Sequence, residues 1–273
     1  MPLNENEGLG SSRWFYRPSP NRSCSLRLFC IPHAGAGASI FRKWPHQLPR
    51  HVEVCGIQLP GREARFEEPP HTELFGLVEA LAKAVGPYTN VPFALFGHSM
   101  GALIAFALAH ELRRSHLPQP VQLMVSGRRA PQLPNNDPPI HDLPEEQFLR
   151  RISELNGTGG GVLQNEELME LLSPVLRADF KVCETYNSEP VEPLNCPISA
   201  FGGLQDTEVN QNEMAAWRQQ TRRGFVLKMF SGDHFYLHAD PLSFLKALSL
   251  QLEQILMGID GFENGPTSGS TAV

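Results

Sequence analysis

The sequence predicts an α/β fold, a mostly parallel sheet flanked by helices with one helical insertion, on three observations. Short apolar runs of the strand type alternate with helical patterns along most of the 273 residues. A glycine-flanked serine joins one such run to a helix, in the pentapeptide Gly97-His98-Ser99-Met100-Gly101. A long stretch between two of the strands, about 131–189, has helical patterns and no strand.

The individual elements follow from the position of apolar runs and helical periodicity. Strands are predicted near 26–32, 52–58, 92–98, 121–126, 197–202 and 225–230. Helices are predicted near 72–86, 100–115, 211–221 and 240–257. Because strands and helices alternate, the strands are expected to run parallel, with helices on both faces of the sheet.

The insertion at about 131–189 breaks this alternation. Its first helix is expected to begin near Asp142, which would cap it, with acidic residues in the first turn. A second helical pattern runs from Glu166 to Tyr186, and the glycine-rich segment 157–161 between them is typical of a hinge. The interpretation we favour is a lid over the serine that shapes an acyl channel. The alternative is that these helices only pack on the sheet.

Both ends of the chain are polar and rich in small residues. Residues 1–13 and 259–273 are therefore predicted to be disordered tails around a single domain at 14–258. One domain suits a chain of this length, and an apolar content of 41% is enough for a large core.

The pentapeptide around Ser99 has the form of a nucleophile turn between a strand and a helix. The turn is so sharp that a side chain two residues before or after the serine would collide, so glycine is expected at both places. The serine then lies above a helix N-terminus, where backbone N–H groups favour negative charge. The alternative interpretation is a serine that only caps a buried helix.

A catalytic serine requires an acid and a histidine further along the chain. The strand 197–202 runs into a glycine turn followed by Asp206, and the strand 225–230 is followed by His234. The order Ser99, Asp206, His234 is that of the α/β-hydrolase fold. Parallel strands end at one edge of a sheet, so the three loops can converge. His234 would act as the base and Asp206 would orient it.

Three other acids compete with Asp206 for the orienting role. Glu208 lies two residues further on, and Asp137 would follow an earlier strand. Asp233 directly precedes the histidine, and adjacent residues in a tight turn rarely face each other. Asp206 remains the first choice.

The developing oxyanion needs two backbone donors. The N–H of Met100 is the first, and the second is expected from the loop after the strand 26–32, where Pro32–Gly37 is rich in glycine and alanine. Such a loop lets the backbone approach the substrate closely.

Composition excludes several other functions. A net charge of −6 without a run of basic residues gives no field for nucleic acid. The five cysteines are widely spaced and include no C-x-x-C pair, which favours free thiols in a reducing compartment and predicts no zinc site. The N-terminus is no secretory signal, and no stretch approaches the length of a membrane span, so a cytoplasmic protein without membrane contact is expected. No motif predicts a metal or a cofactor; the glycine-rich segment 157–161 lacks the lysine of a phosphate loop.

The chain resembles the type II thioesterases, the stand-alone editing enzymes of polyketide and nonribosomal peptide synthesis, from about Trp14 to about Leu256. Five motifs in order carry the resemblance: Cys30–Gly35, Gln58–Glu63, Gly97–Gly101, Leu172–Phe180 and Gly232–Phe235. The family is related to the medium-chain thioesterase of fatty acid synthesis. Small departures are Gly35-Ala36-Gly37, where Gly-Gly is common, and a long C-terminal tail.

The resemblance implies the substrate, an acyl thioester on the phosphopantetheine arm of a carrier protein, so no cofactor of the enzyme's own is expected. It implies Ala34 as the second oxyanion donor, assigns no role to His33, and leads us to expect a monomer. Arg62 and Glu63 are more simply explained by a local ion pair than by substrate contact. Carrier proteins are typically acidic, and Arg128, Arg129 and Arg177 are weak candidates for docking them.

Two alternatives to the thioesterase remain open. Another serine hydrolase of this fold, such as a carboxylester hydrolase or an acyltransferase, would use the same three side chains. A non-catalytic carrier-binding module would keep the fold without the chemistry. Acyl chain preference and the pathway served are not determined by the sequence.

Overall fold

A seven-stranded sheet forms the centre of the protein. The computed structural model describes residues 12–134, 137–155, 166–187 and 190–263. The strands are β1 (Phe15–Tyr16), β2 (Leu26–Ile31), β3 (Val52–Ile57), β4 (Phe93–His98), β5 (Gln122–Ser126), β6 (Ile198–Gly203) and β7 (Phe225–Phe230). All six strands that the sequence predicts are present, and within the residues described here the two-residue β1 is the one additional strand.

The strands lie in the order β1-β3-β2-β4-β5-β6-β7. Only β1 is antiparallel, paired with β3, and every other pair is parallel. The carboxyl ends of β2 to β7 therefore meet at one edge of the sheet, and the loops that follow them converge there. The prediction of a mostly parallel sheet is confirmed.

Seven α-helices surround the sheet in the described part of the chain. They are α1 (Leu74–Val85), α2 (Met100–Arg114), α3 (Glu145–Glu154), α4 (Glu166–Glu184), α5 (Gln211–Ala215), α6 (Tyr236–Ala239) and α7 (Pro241–Glu263). The helix predicted at 211–221 is α only as far as Ala215 and continues as a 3-10 helix at Ala216–Gln220. An asparagine capping box at Asn210 and Glu213 fixes the start of α5.

Two apolar cores lie against the sheet. One contains the inner faces of α1 and α2, including the fully buried Leu81, Ile104 and Phe106. The other contains α7, whose Phe244 and Leu248 are fully buried. Helices cover both faces, as expected for a parallel sheet whose strands are apolar on both sides.

The inserted helices form a smaller cluster of their own, in which Phe148 and Ile152 of α3 pack with Met169 and Leu176 of α4. The prediction that Asp142 caps α3 is wrong, because the helix begins at Glu145 and Pro144 occupies the capping position. The glycine segment predicted as a hinge, 157–161, lies outside the described residues.

The predicted tails are only partly within the described residues. Arg13 donates to the carbonyl of Ala64 and pairs with Glu68, and α7 continues to Glu263, past the predicted boundary at 258. Residues 1–11 and 264–273 lie outside the described residues.

One helix in the described part of the chain is long and apolar enough to span a membrane. The segment Pro241–Ile259 of α7 has a mean hydropathy of 1.2, so the expectation that no stretch approaches a span is wrong by length and composition. In this structure the helix packs one face into the core through Phe244, Leu248 and Leu252, and it exposes Leu250 and Met257. A core helix of a globular domain passes the same test as a membrane span.

Candidate active site

Ser99 lies in the sharp turn between β4 and α2, with a backbone φ of 54° and ψ of −115°. A positive φ is uncommon for a residue with a side chain and is found where function requires strain. Ser99 occupies the capping position of α2, but its side chain makes no capping hydrogen bond. The helix-capping interpretation therefore does not explain the serine. Its N–H donates to the carbonyl of Ser126 at 2.8 Å, which anchors the turn to the end of β5.

The two glycines of the pentapeptide make the turn possible. A Cβ on Gly97 would lie 2.0 Å from the carbonyl oxygen of Gly101, and a Cβ on Gly101 would lie 2.2 Å from the carbonyl oxygen of Ile31. Both contacts are with backbone, which cannot move aside without shifting a strand or the helix. The predicted collision of larger residues at these positions is confirmed.

Gly101→Ala is expected to destabilise the protein by more than about 3 kcal/mol or to prevent folding, because overpacking against backbone has no side chain to relieve it. Thermal unfolding measures this. Gly76→Ala in α1 is the matched control, since a Cβ there meets nothing closer than 3.9 Å. The control should stabilise by about 0.5–1 kcal/mol through helix propensity. Equal stability of the two variants would contradict this description of the turn.

His234 and Asp206 meet although 28 positions separate them in the chain. The Nδ1–H of His234 donates to Oδ2 of Asp206 at 2.8 Å. The other carboxylate oxygen, Oδ1, accepts the N–H groups of Glu208 at 2.8 Å and Val209 at 3.2 Å. The Asp206 carboxylate is completely buried, so these three donors satisfy a charge that would otherwise be costly. This contact orients the ring of His234 and leaves Nε2 as the ring nitrogen that can accept a proton.

The three competing acids are placed differently. Asp233 accepts the N–H of Phe235 in a local turn at 2.8 Å. Asp137 pairs with Arg129 at 2.6 Å and is largely exposed. Glu208 contributes only its backbone N–H to the Asp206 carboxylate. Among the described residues, Asp206 is the acid in contact with Nδ1 of His234.

A cavity of about 670 Å³ opens at this edge of the sheet. Ser99, Met100, Ala34 and His234 all line it. The insertion lines part of the same cavity with Ile152 of α3, Leu155 at the C-terminal cap of α3, and Leu176 and Phe180 of α4. The sequence-predicted serine, histidine and oxyanion donors thus face one space, which the insertion covers.

The two predicted oxyanion donors come from different elements. Met100 is the first residue of α2, where a backbone N–H has no acceptor within the helix. Ala34 lies in the loop after β2, and its carbonyl accepts the Nδ1–H of His33 at 3.0 Å. This contact gives His33 the structural explanation that the sequence did not provide.

Three further histidines form a cluster that reaches His234 through His98. The ring of His98 lies 5.1 Å from that of His234, and His33 lies 5.9 Å from His98 and 5.6 Å from His238. Nδ1 of His98 lies 2.8 Å from the Ser126 hydroxyl. Burial lowers the pKa of His33 to about 4, lowers that of His98 well below its usual range, and lowers that of His238. His33 and His98 are therefore neutral at pH 7.

These neutral histidines predict a loss of stability in acid. Unfolded His33 takes up a proton near pH 6.5, whereas folded His33 does so near pH 4, so between these values only the unfolded chain is protonated. The contribution of neutral His33 to the free energy of unfolding is complete above pH 6.5 and is lost as the pH falls towards 4. We expect His33→Gln to reduce the acid loss by about 1–3 kcal/mol in unfolding titrations at each pH. The exposed His51→Gln is the control, and identical pH slopes for both variants would contradict the assignment.

Two of the three arginines named as weak docking candidates, Arg129 and Arg177, are engaged within the chain. Arg177 donates to the carbonyls of His141 and Leu143 and pairs with Glu145. Arg129 pairs with Asp137. Both side chains therefore already have structural roles at the start of the insertion and beside the cavity.

Arg62 and Glu63 do not form the predicted local ion pair, because each has a different partner. Arg62 is buried and pairs with Asp179 of the inserted helix α4. Glu63 instead accepts from the Ser39 hydroxyl at 2.5 Å. The favoured prediction of a structural ion pair for Arg62 is therefore right in kind but wrong in its partner, which lies far away in the sequence.

The sheet order, the strained serine turn and the histidine–aspartate pair at the same edge define a member of the α/β-hydrolase class. The comparison with protein families extends this: a family model described as a thioesterase domain matches residues 26–250. The chain belongs to the thioesterase family, and it is a hydrolase that acts on thioesters.

Named relatives and solved structures agree with this assignment. The gramicidin S biosynthesis protein GrsT of Aneurinibacillus migulanus is 48% identical over 245 residues, which is 90% of this chain and 96% of that protein. RedJ, a thioesterase of prodiginine biosynthesis in Streptomyces coelicolor, superposes with a TM-score of 0.77 at 37% identity, covering 82% of this chain and 91% of RedJ. BorB, a type II thioesterase of borrelidin biosynthesis, gives a TM-score of 0.80 at 33% identity, covering 88% of this chain and 97% of BorB.

Proposed function

We propose that this protein hydrolyses acyl groups from the phosphopantetheine arm of carrier proteins, as an editing or releasing thioesterase of polyketide, nonribosomal peptide or fatty acid synthesis. The observation that carries the proposal is that Ser99 and the histidine of the His234–Asp206 pair line one cavity. Ser99 has a strained backbone, and its side chain makes no capping hydrogen bond. The names of GrsT, RedJ and BorB, which refer to such pathways, support the choice of substrate.

In the first half of the reaction, the Ser99 hydroxyl attacks the thioester carbonyl carbon while Nε2 of His234 accepts its proton. The carbonyl oxygen becomes an oxyanion, held by the N–H groups of Met100 and Ala34. Asp206 stabilises the histidine cation and keeps its Nδ1–H directed away from the serine. The tetrahedral intermediate then breaks its carbon–sulfur bond, and the departing sulfur takes the proton from His234.

In the second half, a water molecule enters the space left by the thiol. His234 accepts a proton from this water as its oxygen attacks the acyl-serine carbonyl. The same two N–H groups stabilise the second oxyanion. The serine oxygen leaves with the proton from His234, which releases the carboxylic acid. The chemistry needs no bound metal or cofactor, because the phosphopantetheine arm belongs to the carrier.

The thiol leaving group decides which steps are demanding. A thiol with a pKa of about 8.5 departs much more easily than an alcohol, so attack by serine and then by water are expected to limit the rate. A cavity partly closed by α3 and α4 can hold an acyl chain away from bulk water, in agreement with a lid role for the insertion.

The proposal extends to the location and the partners of the enzyme. We place the protein in the cytoplasm, as a monomer that meets acidic carrier domains and requires neither nucleic acid nor membrane. All five cysteines are free, which suits a reducing compartment.

Parallel assays on acyl-carrier thioesters, acyl-coenzyme A and simple oxyesters test the proposal. We expect the highest kcat/KM for carrier-bound acyl groups, and a panel from acetyl to long chain will define the preferred length. Preference for oxyesters would identify a carboxylester hydrolase, and transfer of the acyl group to an acceptor other than water would identify an acyltransferase. Carrier binding without turnover of any substrate would identify a binding module.

A further inference from the structure

A buried ion pair joins the inserted helix α4 to the segment that follows β3. Nη1 of Arg62 lies 2.6 Å from Oδ2 of Asp179, and Nη2 lies 2.8 Å from Oδ1, so the contact is bidentate. The two side chains are only 6% and 4% exposed. Arg62 also donates through Nε to the carbonyl of Pro60 at 3.2 Å, which fixes the guanidinium on the β3 side.

Asp179 has a second contact, with the oxyanion loop, the segment Pro32–Gly37. The N–H of Gly35 donates to Oδ2 of Asp179 at 2.8 Å, and Nη1 of Arg62 donates to the carbonyl of Ala36 at 3.4 Å. The helix also touches this loop directly, because a Cβ on Gly35 would lie 2.5 Å from Cδ2 of Leu176. Gly35 has a φ of +76°, which a residue with a side chain rarely adopts.

These contacts fix the peptide between Ala34 and Gly35 at both ends. Its carbonyl oxygen accepts from His33, and its N–H donates to Asp179. A peptide held at both ends cannot rotate about the bonds that flank it. The orientation of the preceding N–H, that of Ala34, is thereby limited as well.

Stability alone is a weak reason for a buried ion pair. Removing two charges from water costs about as much as their attraction returns, and apolar replacements are often equally stable. The Arg62–Asp179 pair instead lies where geometry matters most, since an oxyanion donor must meet its acceptor within a few tenths of an ångström.

We propose that Arg62 and Asp179 are positioning residues that orient the Ala34 N–H towards the oxyanion site. Through them, the position of this N–H depends on whether helix α4 is packed against the oxyanion loop. The inference rests on the proposed role of Ala34 as an oxyanion donor. When α4 is packed against the loop, Asp179 accepts the N–H of Gly35 and so fixes the Ala34–Gly35 peptide. When α4 moves away, the loop loses this acceptor and the donor loses its alignment.

The effect should appear in kcat, since an oxyanion donor acts mainly in the transition state. Loss of one such donor costs about 100- to 1000-fold, so misalignment by Asp179→Ala is expected to lower kcat about 10- to 100-fold with less than a threefold change in KM. Asp179→Asn keeps an oxygen that can accept from Gly35, and its loss should be smaller, about 3- to 10-fold.

Glu53→Gln is the matched control. Glu53 is also completely buried and pairs with Arg17 and Arg27, but it lies near the start of β3, at the opposite edge of the sheet from the cavity. This variant should lose stability like the Asp179 variants. Its kcat should stay within twofold of the wild type.

The experiment compares these three variants by steady-state kinetics, thermal unfolding and the rate at which a fluorophosphonate labels Ser99. The label requires the oxyanion site but no carrier substrate, so it tests positioning even if the proposed substrate is wrong. We expect the labelling rate and kcat to be lowest in Asp179→Ala, intermediate in Asp179→Asn and unchanged in Glu53→Gln. Labelling within twofold of the wild type in Asp179→Asn and in every folded Asp179→Ala sample would overturn it, as would an equal loss in Glu53→Gln.

Discussion

Ser99→Ala is expected to lower kcat for carrier-thioester hydrolysis by roughly a million-fold, to the residual rate that binding and the oxyanion site provide. The loss is this large because the variant has no oxygen to form the acyl-enzyme, and the remaining groups cannot act without it. The serine makes no capping hydrogen bond, so removing its hydroxyl should leave the fold unchanged.

Hydrolysis measured by thiol release, together with thermal unfolding, checks this result. Ser115→Ala at the other end of the same helix is the control, because Ser115 is exposed at the C-cap of α2 and far from the cavity. It should retain full activity. Substantial turnover by a stably folded Ser99→Ala variant would exclude Ser99 as the nucleophile.

Asp206→Asn has the second largest expected effect, a fall in kcat of about 10⁴-fold. An amide at this position would still accept the N–H groups of Glu208 and Val209 through its oxygen. Its NH₂ group would then face Nδ1 of His234, which forces the proton of the imidazole onto Nε2. In that tautomer the histidine cannot accept the serine proton. The reaction would be blocked without loss of the fold.

The competing acids provide matched controls for this substitution. Asp233→Asn and Asp137→Asn should change kcat less than about threefold, because neither carboxylate contacts His234. Glu208→Gln should likewise retain activity, since the backbone of this residue makes the contact with Asp206. A larger loss in any of these three than in Asp206→Asn would assign the orienting role to a different acid.

Much of the fold could be predicted because its signals are local. Each of β2 to β7 is a run of five or six mostly apolar residues, and the alternation of these runs with helices predicts a parallel sheet. The two-residue β1 has too little sequence to form a pattern. The start of α3 differs from the sequence prediction because Asp142 has the residue type of a helix cap, whereas Pro144 occupies the capping position in the structure. Residue type alone does not determine which position takes the helical conformation.

The candidate site also contains residues that the sequence predicts and contacts that it does not. Ser99 belongs to a short motif with a steric reason for its glycines, and Asp206 and His234 each follow a predicted strand in the required order. The Arg62–Asp179 pair spans 117 positions and has no periodicity, so nothing in the sequence indicates which arginine meets which acid. Contacts of that kind become visible only when the insertion is placed on the sheet.

The mechanism requires that Ser99 carry the acyl group during turnover. The most direct measurement mixes the protein with an acyl-carrier thioester, quenches in acid within milliseconds and maps the adduct by mass spectrometry. We expect one acyl group on the peptide that contains Ser99, and this adduct should rise before the free acid accumulates. Full hydrolysis with no acylated Ser99 at any time, or an acyl group on Cys183 in the same cavity instead, would contradict it.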